Sequence, residues 1–284
     1  MAQIISVLSG KGGVGKTLLT GAVGLALSRK GKRVLLIDGD MGIRSLDLIF
    51  GVENECFYHV WELAQGKCFA EDAVIHIEDN MDFLAAAQSE NWENISTAAI
   101  ETVLEDLGSQ YDYIFIDCPA GIGEEIFFIK EISDMVMIVV TSSWASKRSA
   151  EKIYSLVTPD VSSVMILNQF SAKDDTKIRL QDMMETVYEE LFGGVIPYSK
   201  EADRLGHTGN LQSYNEKGAF GQALTCVLNT VFNHRIYPMT KWESILHLAN
   251  RENIAKEKHM DEEVKLKEDM WNKRRMAYKW RRRR

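Results

Sequence analysis

The chain has no pair of cysteines at CxxC spacing and no histidines at zinc-ligand spacing, although it holds four cysteines (Cys56, Cys68, Cys118 and Cys226) and six histidines. Scattered cysteines of this kind fit a reducing cytoplasm better than a disulfide framework. No apolar run approaches the roughly 20 residues of a membrane span. The densest, MVMIVV at 135–140, reads as a buried strand. The N-terminus lacks a basic region followed by a long apolar core and a cleavage site, so no signal peptide is expected. There is no internal repeat and no low-complexity linker. Acidic residues are missing from 273–284, KRRMAYKWRRRR, which carries eight Lys/Arg. The whole chain has a net charge of −8; setting this end aside leaves 25 basic against 41 acidic residues, or −16. An acidic, soluble body with a basic end suits an anionic partner, either lipid or nucleic acid.

What is present is a regular alternation. At 284 residues and 45% hydrophobic content, the chain is one large domain, or one domain with an appendage. QIISVLS reads as a buried strand, KTLLTGAVGLALSRKG as a helix with a closing glycine, and RVLLID as the next strand. DFLAAA, YDYIFIDCPAG, MVMIVVTS and VMILNQF follow, separated by helix-length segments. Short apolar runs alternating with helices predict an α/β fold, a doubly wound, mainly parallel sheet covered on both faces. EKGAFGQALTCVLNTVF reads as the last core helix. Beyond about Asn233 the chain is charged and lacks strand signals. The expected division is a core domain over 1–235 and a helical tail over 236–284, whose packing the sequence does not give.

SGKGGVGKT (9–17) lies between the first strand and the first helix. Gly10-Lys11-Gly12-Gly13-Val14-Gly15-Lys16-Thr17 satisfies GxxxxGK[ST]. The glycines let backbone N–H groups face phosphate oxygens, and the helix N-terminus adds a positive dipole. Lys16 is placed to bridge β- and γ-phosphates and the Thr17 hydroxyl to ligate Mg²⁺. The competing reading is a glycine-rich turn that binds nothing. Asp117 ends the strand YIFID, where an acid commonly holds Mg²⁺ through water; an exposed strand-end aspartate is its alternative. Asp38 and Asp40 sit just past a strand end in LLIDGDMG, on the ligand side of the sheet. Two carboxylates there suit a metal and an attacking water, which makes Asp38 a further candidate metal ligand. Either alone is also an ordinary turn former.

The second lysine gives the loop its family character. With Lys11, KGGVGKT resembles the deviant Walker A loop of the MinD/ParA family of P-loop ATPases. IDGDMGIRSLDLIFG is similar to the MinD form rather than the plasmid-partition form, and YDYIFIDCPAGI and GGVIPYSKEADRLGHTG resemble further MinD stretches. The likeness spans roughly residues 2–233 in four ordered motifs. It implies a P-loop NTPase fold of SIMIBI type that binds ATP with Mg²⁺. Lys11 would be the signature lysine that reaches across an ATP-sandwiched homodimer to the partner's phosphates. A cation supplied in trans stabilises charge on the transferring phosphoryl group and makes dimerisation depend on ATP. The resemblance further implies that Asp40 orients the hydrolytic water, that Gly10 to Thr17 and Leu18 contact ATP, and that Asn168 and Pro197 contact adenine. From the residues alone, Asn168 reads equally well as a strand-end residue capping a loop. Several positions depart from the family pattern. Leu18 stands for a second threonine, so an α-phosphate contact there falls to backbone N–H. Gly123-Glu124-Glu125 stands for Glu-x-Gly, Ser149 lies near a usual aspartate, and Tyr198 and Ser199 replace an acidic pair. Cys118 replaces a common serine and reads as a small buried residue.

The tail has its own periodicity. At 100° per residue, Met260, Val264, Trp271 and Tyr278 share one helical face, widened by Leu266, Met270 and Ala277. An apolar face with aromatic residues beside Arg and Lys fits a helix lying in a membrane interface. Met270, Trp271, Lys273, Arg274, Arg275, Tyr278, Lys279 and Trp280 are the candidate membrane-binding residues. The family's short C-terminal membrane-targeting helix is similar in position, though not in residue pattern. A solvated helix packed on the body, or arginines and aromatics on nucleic acid, are the alternatives. The resemblance implies a cytoplasmic ATPase, peripheral on the inner face of the membrane, that places the bacterial division site. Its partners would be a MinC-like division inhibitor and a MinE-like or scaffold protein. A ParA-like segregation ATPase on DNA and an ATP-binding adaptor without turnover are the other readings. An iron–sulfur carrier is disfavoured by the missing CxxC.

Overall fold

A computed structural model of the chain describes residues 1–41, 43–87, 96–123, 125–158, 160–171, 180 and 191–257. The candidate membrane-binding residues between 270 and 280 lie outside the described residues. In chain order the elements are β1 (Gln3–Ser9), α1 (Lys16–Ser28), β2 (Val34–Asp38), α2 (Leu46–Phe50), α3 (Val60–Ala64), α4 (Ala70–Ala73), β3 (Val74–Glu78) and β4 (Met81–Leu84). They continue as α5 (Thr97–Gly108), β5 (Tyr113–Ala120), α6 (Glu125–Ile132), β6 (Met135–Val140), α7 (Trp144–Val157), β7 (Ser162–Phe170), β8 (Phe192–Pro197), α8 (Lys200–His207) and α9 (Ala219–Asn233). Residues 239–257 form a further helix.

The strands form one eight-stranded sheet in the order β3-β4-β2-β5-β1-β6-β7-β8. Every pairing is parallel except β3 with β4. The chain leaves β1 in one direction, to β2, and returns across the sheet from β4 to β5, β6, β7 and β8. Right-handed crossovers therefore put α1 on one face and α5, α6 and α7 on the other. The contacts agree: α1 packs with α9, and α6 with α7. Burial on both faces explains why the strands read as continuous apolar runs; β2, for instance, is buried along its whole length.

Two strands carry no such signal. VIHIE at β3 is an antiparallel edge strand with no buried residue in its pattern. FGGVIP at β8 has two glycines after Phe192, weak strand formers, which packing requires there. A Cβ on Gly193 would lie 2.5 Å from both Ile166 and Val164. Gly194 has φ +134°, and a Cβ there would come within 2.8 Å of the Trp242 ring.

That tryptophan shows where the segment after Asn233 goes. Trp242 is 2% exposed and belongs to the central hydrophobic cluster with Ile245, Leu246 and Ala249. Its indole meets Phe192 edge-on at 6.0 Å and Tyr237 at 5.9 Å. The spacing of 242, 245, 246 and 249 is one helical stripe, and it covers the β8 edge of the sheet. The first half of the predicted tail is thus packed against the body. Trp242→Ala is expected to cost about 3–5 kcal/mol, as for other buried aromatics cut to alanine. Urea unfolding followed by far-ultraviolet circular dichroism checks this.

Candidate functional site

Three neighbouring parallel strands deliver the site. β2, β5 and β1 are adjacent, with Asp38 opposite Asp117 and Val7 opposite Asp117 in register. The glycine loop therefore springs from β1 beside two strand-end carboxylates, at the C-terminal edge where α/β sheets bind ligands. The loop turns through Gly13 at φ +77° and Gly15 at φ +80°, and Gly15 is the N-cap of α1 in the left-handed region. A Cβ on Gly15 would stand 2.6 Å from the Asn168 amide nitrogen, and one on Gly10 would stand 2.4 Å from Ser149 Cβ. Ser149, one of the departures from the family pattern, is the floor against which the loop packs.

The two lysines of the loop part company. Lys11 is exposed at the lip. Lys16 is 6% exposed, and its Nζ donates to Asp117 Oδ1 at 2.8 Å. Thr20, which belongs to no sequence motif, donates its hydroxyl to the same oxygen at 3.0 Å. The other carboxylate oxygen, Asp117 Oδ2, is buried and has no hydrogen-bond partner among the described groups. An unpartnered buried carboxylate oxygen is the kind of ligand a hard divalent cation or its bound water takes, and the hydroxyls of Thr17 and Ser45, 3.4 Å from each other, are further oxygen donors at the start of α1 and α2.

Asp38 is fully buried. Its Oδ1 accepts from Asp40 N–H at 2.9 Å, and its Oδ2 from Ser45 and Leu46 N–H at 3.0 and 2.9 Å. It ties the turn after β2 to the start of α2, so much of its acceptor capacity serves the backbone. Burial, reinforced by Asp117, pushes its carboxyl up to about 7, against the pull of those three N–H groups. Asp40 is half-buried. Burial raises its carboxyl above the ordinary range, Lys16 pulls it down, and Asp117 raises it again.

Asn168 donates Nδ2 to Val14 C=O at 2.8 Å and reaches Gly15 C=O at 3.4 Å. It braces the loop from beneath, the loop-capping role also legible in the sequence. Its neighbour Gln169, at φ +54°, donates toward Gly13 C=O. An open cavity of about 620 Å³ lies beside the loop, lined by Thr17, Leu18, Leu48, Ile49, Gln169, Asp203, Gly206 and His207. Neither Asn168 nor Pro197 lines it. Its size falls within the range of small-molecule sites. Cys118 is 1% exposed, and burial pushes its thiol up to about 12, so it stays a neutral packing residue.

Sequence reasoning also misses Arg44. It is buried at φ +50°, with Nε on Asp47, Nη1 3.1 Å from His59 Nε2, and Nη2 donating to Glu53 C=O at 3.1 Å. Its backbone N–H closes a turn onto Asp40 C=O at 2.9 Å. The Asp40 carbonyl is therefore tied to a residue whose guanidinium is itself anchored on Asp47, His59 and Glu53. Its signal in the sequence is only its place inside the motif IDGDMGIRSLDLIFG, and that names no partner.

The Asp38 environment makes stability depend on pH. Between the ordinary value of 3.8 and about 7, the native carboxyl keeps a proton that the unfolded chain has released. This group's contribution therefore falls as pH rises through that window. Asp38→Asn, although less stable at every pH, is expected to remove that slope. Urea unfolding of both proteins from pH 4.5 to 7.5 measures it.

The family model described as an AAA domain matches residues 2–162. The septum site-determining protein MinD of Synechocystis is 33% identical over 200 residues, which are 68% of this chain and 75% of that protein. Several other relatives match over about 60% of their own length. Among solved structures, the MinC:MinD cell division protein complex of Aquifex aeolicus superposes with a TM-score of 0.74 at 28% identity, covering 84% of this chain and 98% of that one. The septum site-determining protein MinD of Pyrococcus horikoshii, complexed with Mg-ADP, gives a TM-score of 0.71 at 26% identity over 82% of this chain and 97% of that one. A family model that matches more than half the chain, and a MinD protein spanned over three quarters of its length, answer the loop and the carboxylates behind it: this chain belongs to the MinD/ParA family of P-loop ATPases, on the MinD side.

Proposed function

We propose that the chain is a Mg²⁺-dependent ATPase that dimerises on ATP, cycles on and off an anionic membrane surface, and helps place the bacterial division site. The observation that carries the reading is the division of labour between the loop lysines, Lys16 buried on Asp117 and Lys11 exposed at the lip. Thr17 and Asp117 would hold Mg²⁺, which supplies charge neutralisation across the β- and γ-phosphates. Lys16 holds the chain's own nucleotide, and Lys11 is free to reach a second copy's. Asp40, with its turn fixed by Arg44 and Asp38, orients the attacking water. The nucleoside of ATP is proposed to occupy the cavity beside the loop, with adenine toward Asn168, the neighbour of its lining residue Gln169, and toward Pro197 at the end of β8. The similar Aquifex structure is a complex of MinC with MinD, which supports a MinC-like inhibitor as partner here; a MinE-like or scaffold protein is the proposed regulator. The basic end is proposed as the membrane anchor. A single tail binds weakly, and two tails in an ATP dimer gain about 10²–10⁴-fold in avidity. Each terminal cation adds at most about 1 kcal/mol near an anionic leaflet.

Two substitutions separate the role of Lys11 from that of Asp40. Lys11→Ala is expected to bind ATP with Mg²⁺ nearly as wild type, because Lys16 and the backbone cradle remain, and to lose the ATP-dependent dimer. Light scattering reads this directly, and an undiminished dimer would remove Lys11 from the trans role. Asp40→Ala is expected to keep the ATP dimer while hydrolysis falls about 10²-fold or more, read as phosphate release. For the tail, wild type with Mg-ATP is expected to sediment with anionic vesicles, less so at high salt. Trp271→Glu should sediment less at constant salt. Retention on duplex DNA without vesicle binding would instead make the chain a segregation ATPase.

A further inference from the structure

Two consecutive residues of the C-terminal helix (239–257) close the N-termini of two other helices. Glu252 accepts the N–H of Ala219, the first residue of α9, with both carboxylate oxygens at 3.2 Å. Asn253 does more. Its Oδ1 accepts the N–H of Lys200, the first residue of α8, at 3.0 Å, and its Nδ2 donates to Tyr198 C=O at 2.9 Å. One side chain thus grips the backbone on both sides of Ser199, the N-cap of α8, whose hydroxyl accepts from Ala202 N–H. Ion pairs Lys200–Glu257 and Lys256–Glu201 lie beside it. The helix that carries Asn253 is seated by Trp242 against Gly194 and Phe192 of β8, the strand that leads into this same turn.

What the grip controls is the wall of the cavity. α8 supplies Asp203, Gly206 and His207 to it, and Leu18 and Leu48 line it as well. Gly206 stands so close to Leu18 that a Cβ would lie 2.9 Å from its Cδ1. A small shift of α8 therefore changes the cavity's width beside the phosphate loop. The loop itself is braced separately, by Asn168 and Ser149.

We propose that Asn253 is a positioning residue for nucleotide recognition: it fixes the β8–α8 turn, so that α8 walls the seat of the nucleoside, and it has no part in holding the phosphates. This rests on the reading of the 620 Å³ cavity as the place where the nucleoside of ATP sits. A segment that reads in the sequence as the root of a tail thereby sets affinity for the nucleoside half of the ligand. An unsatisfied helix N-terminus and an unpaired carbonyl are what its loss would leave.

The test separates the two halves of the ligand. ATP and inorganic tripolyphosphate, each with Mg²⁺, are titrated calorimetrically into full-length wild type, Asn253→Ala, Asn253→Asp and Glu252→Ala. Asn253→Ala is expected to weaken ATP about fivefold to tenfold, the size of one lost net hydrogen bond, and to leave tripolyphosphate within about twofold. Asn253→Asp keeps the acceptor for Lys200 N–H, loses the donor for Tyr198 C=O, and should fall between; it carries the test if the alanine variant does not fold. Glu252→Ala should lower the unfolding midpoint and leave the ratio of the two affinities alone. Equal loss of both ligands in the Asn253 variants, no loss of either, or the same ratio change from Glu252→Ala overturns the proposal. If wild type itself binds ATP no better than tripolyphosphate, the nucleoside seat is wrong, and the positioning role falls with it.

Discussion

The buried ion pair between Lys16 and Asp117 is the constraint around which the site is built. Removing two charges from water costs several kcal/mol per ion, and their attraction offsets this only where the geometry is good and further hydrogen bonds complete it. Here the separation is 2.8 Å and Thr20 supplies a second donor to the same oxygen. The parallel pairing of β1 with β5 makes the contact possible, because it places the strand-end aspartate beside the root of the loop. Without a nucleotide, each charge is the other's counter-ion. A ligand that brings phosphate for Lys16 and a cation for Asp117 satisfies both at once, and the unpartnered Oδ2 faces that exchange already desolvated.

Around this pair, the supports are backbone bonds and close packing. Asp38 gathers three N–H groups and sets the path from β2 into α2. Arg44 holds the same turn from its outer side through Asp47, His59 and Glu53. Asn168 and Ser149 hold the loop from below. On the far side of the cavity, the C-terminal helix fixes α8 through Asn253 and the β8 edge through Trp242. On the proposed reading, the phosphate end and the nucleoside end of the site rest on different elements, so affinity for the two halves of a nucleotide is expected to be separable by mutation.

Legibility in the sequence follows burial and chemistry. Strands buried on both faces announce themselves as apolar runs, and GKGGVGKT announces a phosphate loop because few other functions need that many glycines beside lysine and threonine. β3 escapes notice because an antiparallel edge strand with His76 and Glu78 has no continuous apolar run. β8 escapes it because Gly193 and Gly194 suppress its strand signal where packing demands them. Trp242 reads as part of a charged tail, since four apolar residues on one stripe are sparse among charges. The roles of Thr20, Arg44 and Asn253 depend on partners 97, 15 and 55 residues away. Such pairings exist only once the sheet order is known. Asp38 is legible as a carboxylate at a strand end, but its three backbone partners are not.

The most direct measurement is calorimetric titration of ATP into wild type and Asp117→Asn, with Mg²⁺ and with Mg²⁺ chelated. If Asp117 is both the cation's anchor and the internal competitor for Lys16, wild type binds ATP much more tightly with Mg²⁺. Asp117→Asn loses that difference and binds metal-free ATP more tightly than wild type does. An undiminished Mg²⁺ effect in Asp117→Asn, or weaker metal-free binding than in wild type, would contradict the exchange between ion pair and ligand at the centre of the site.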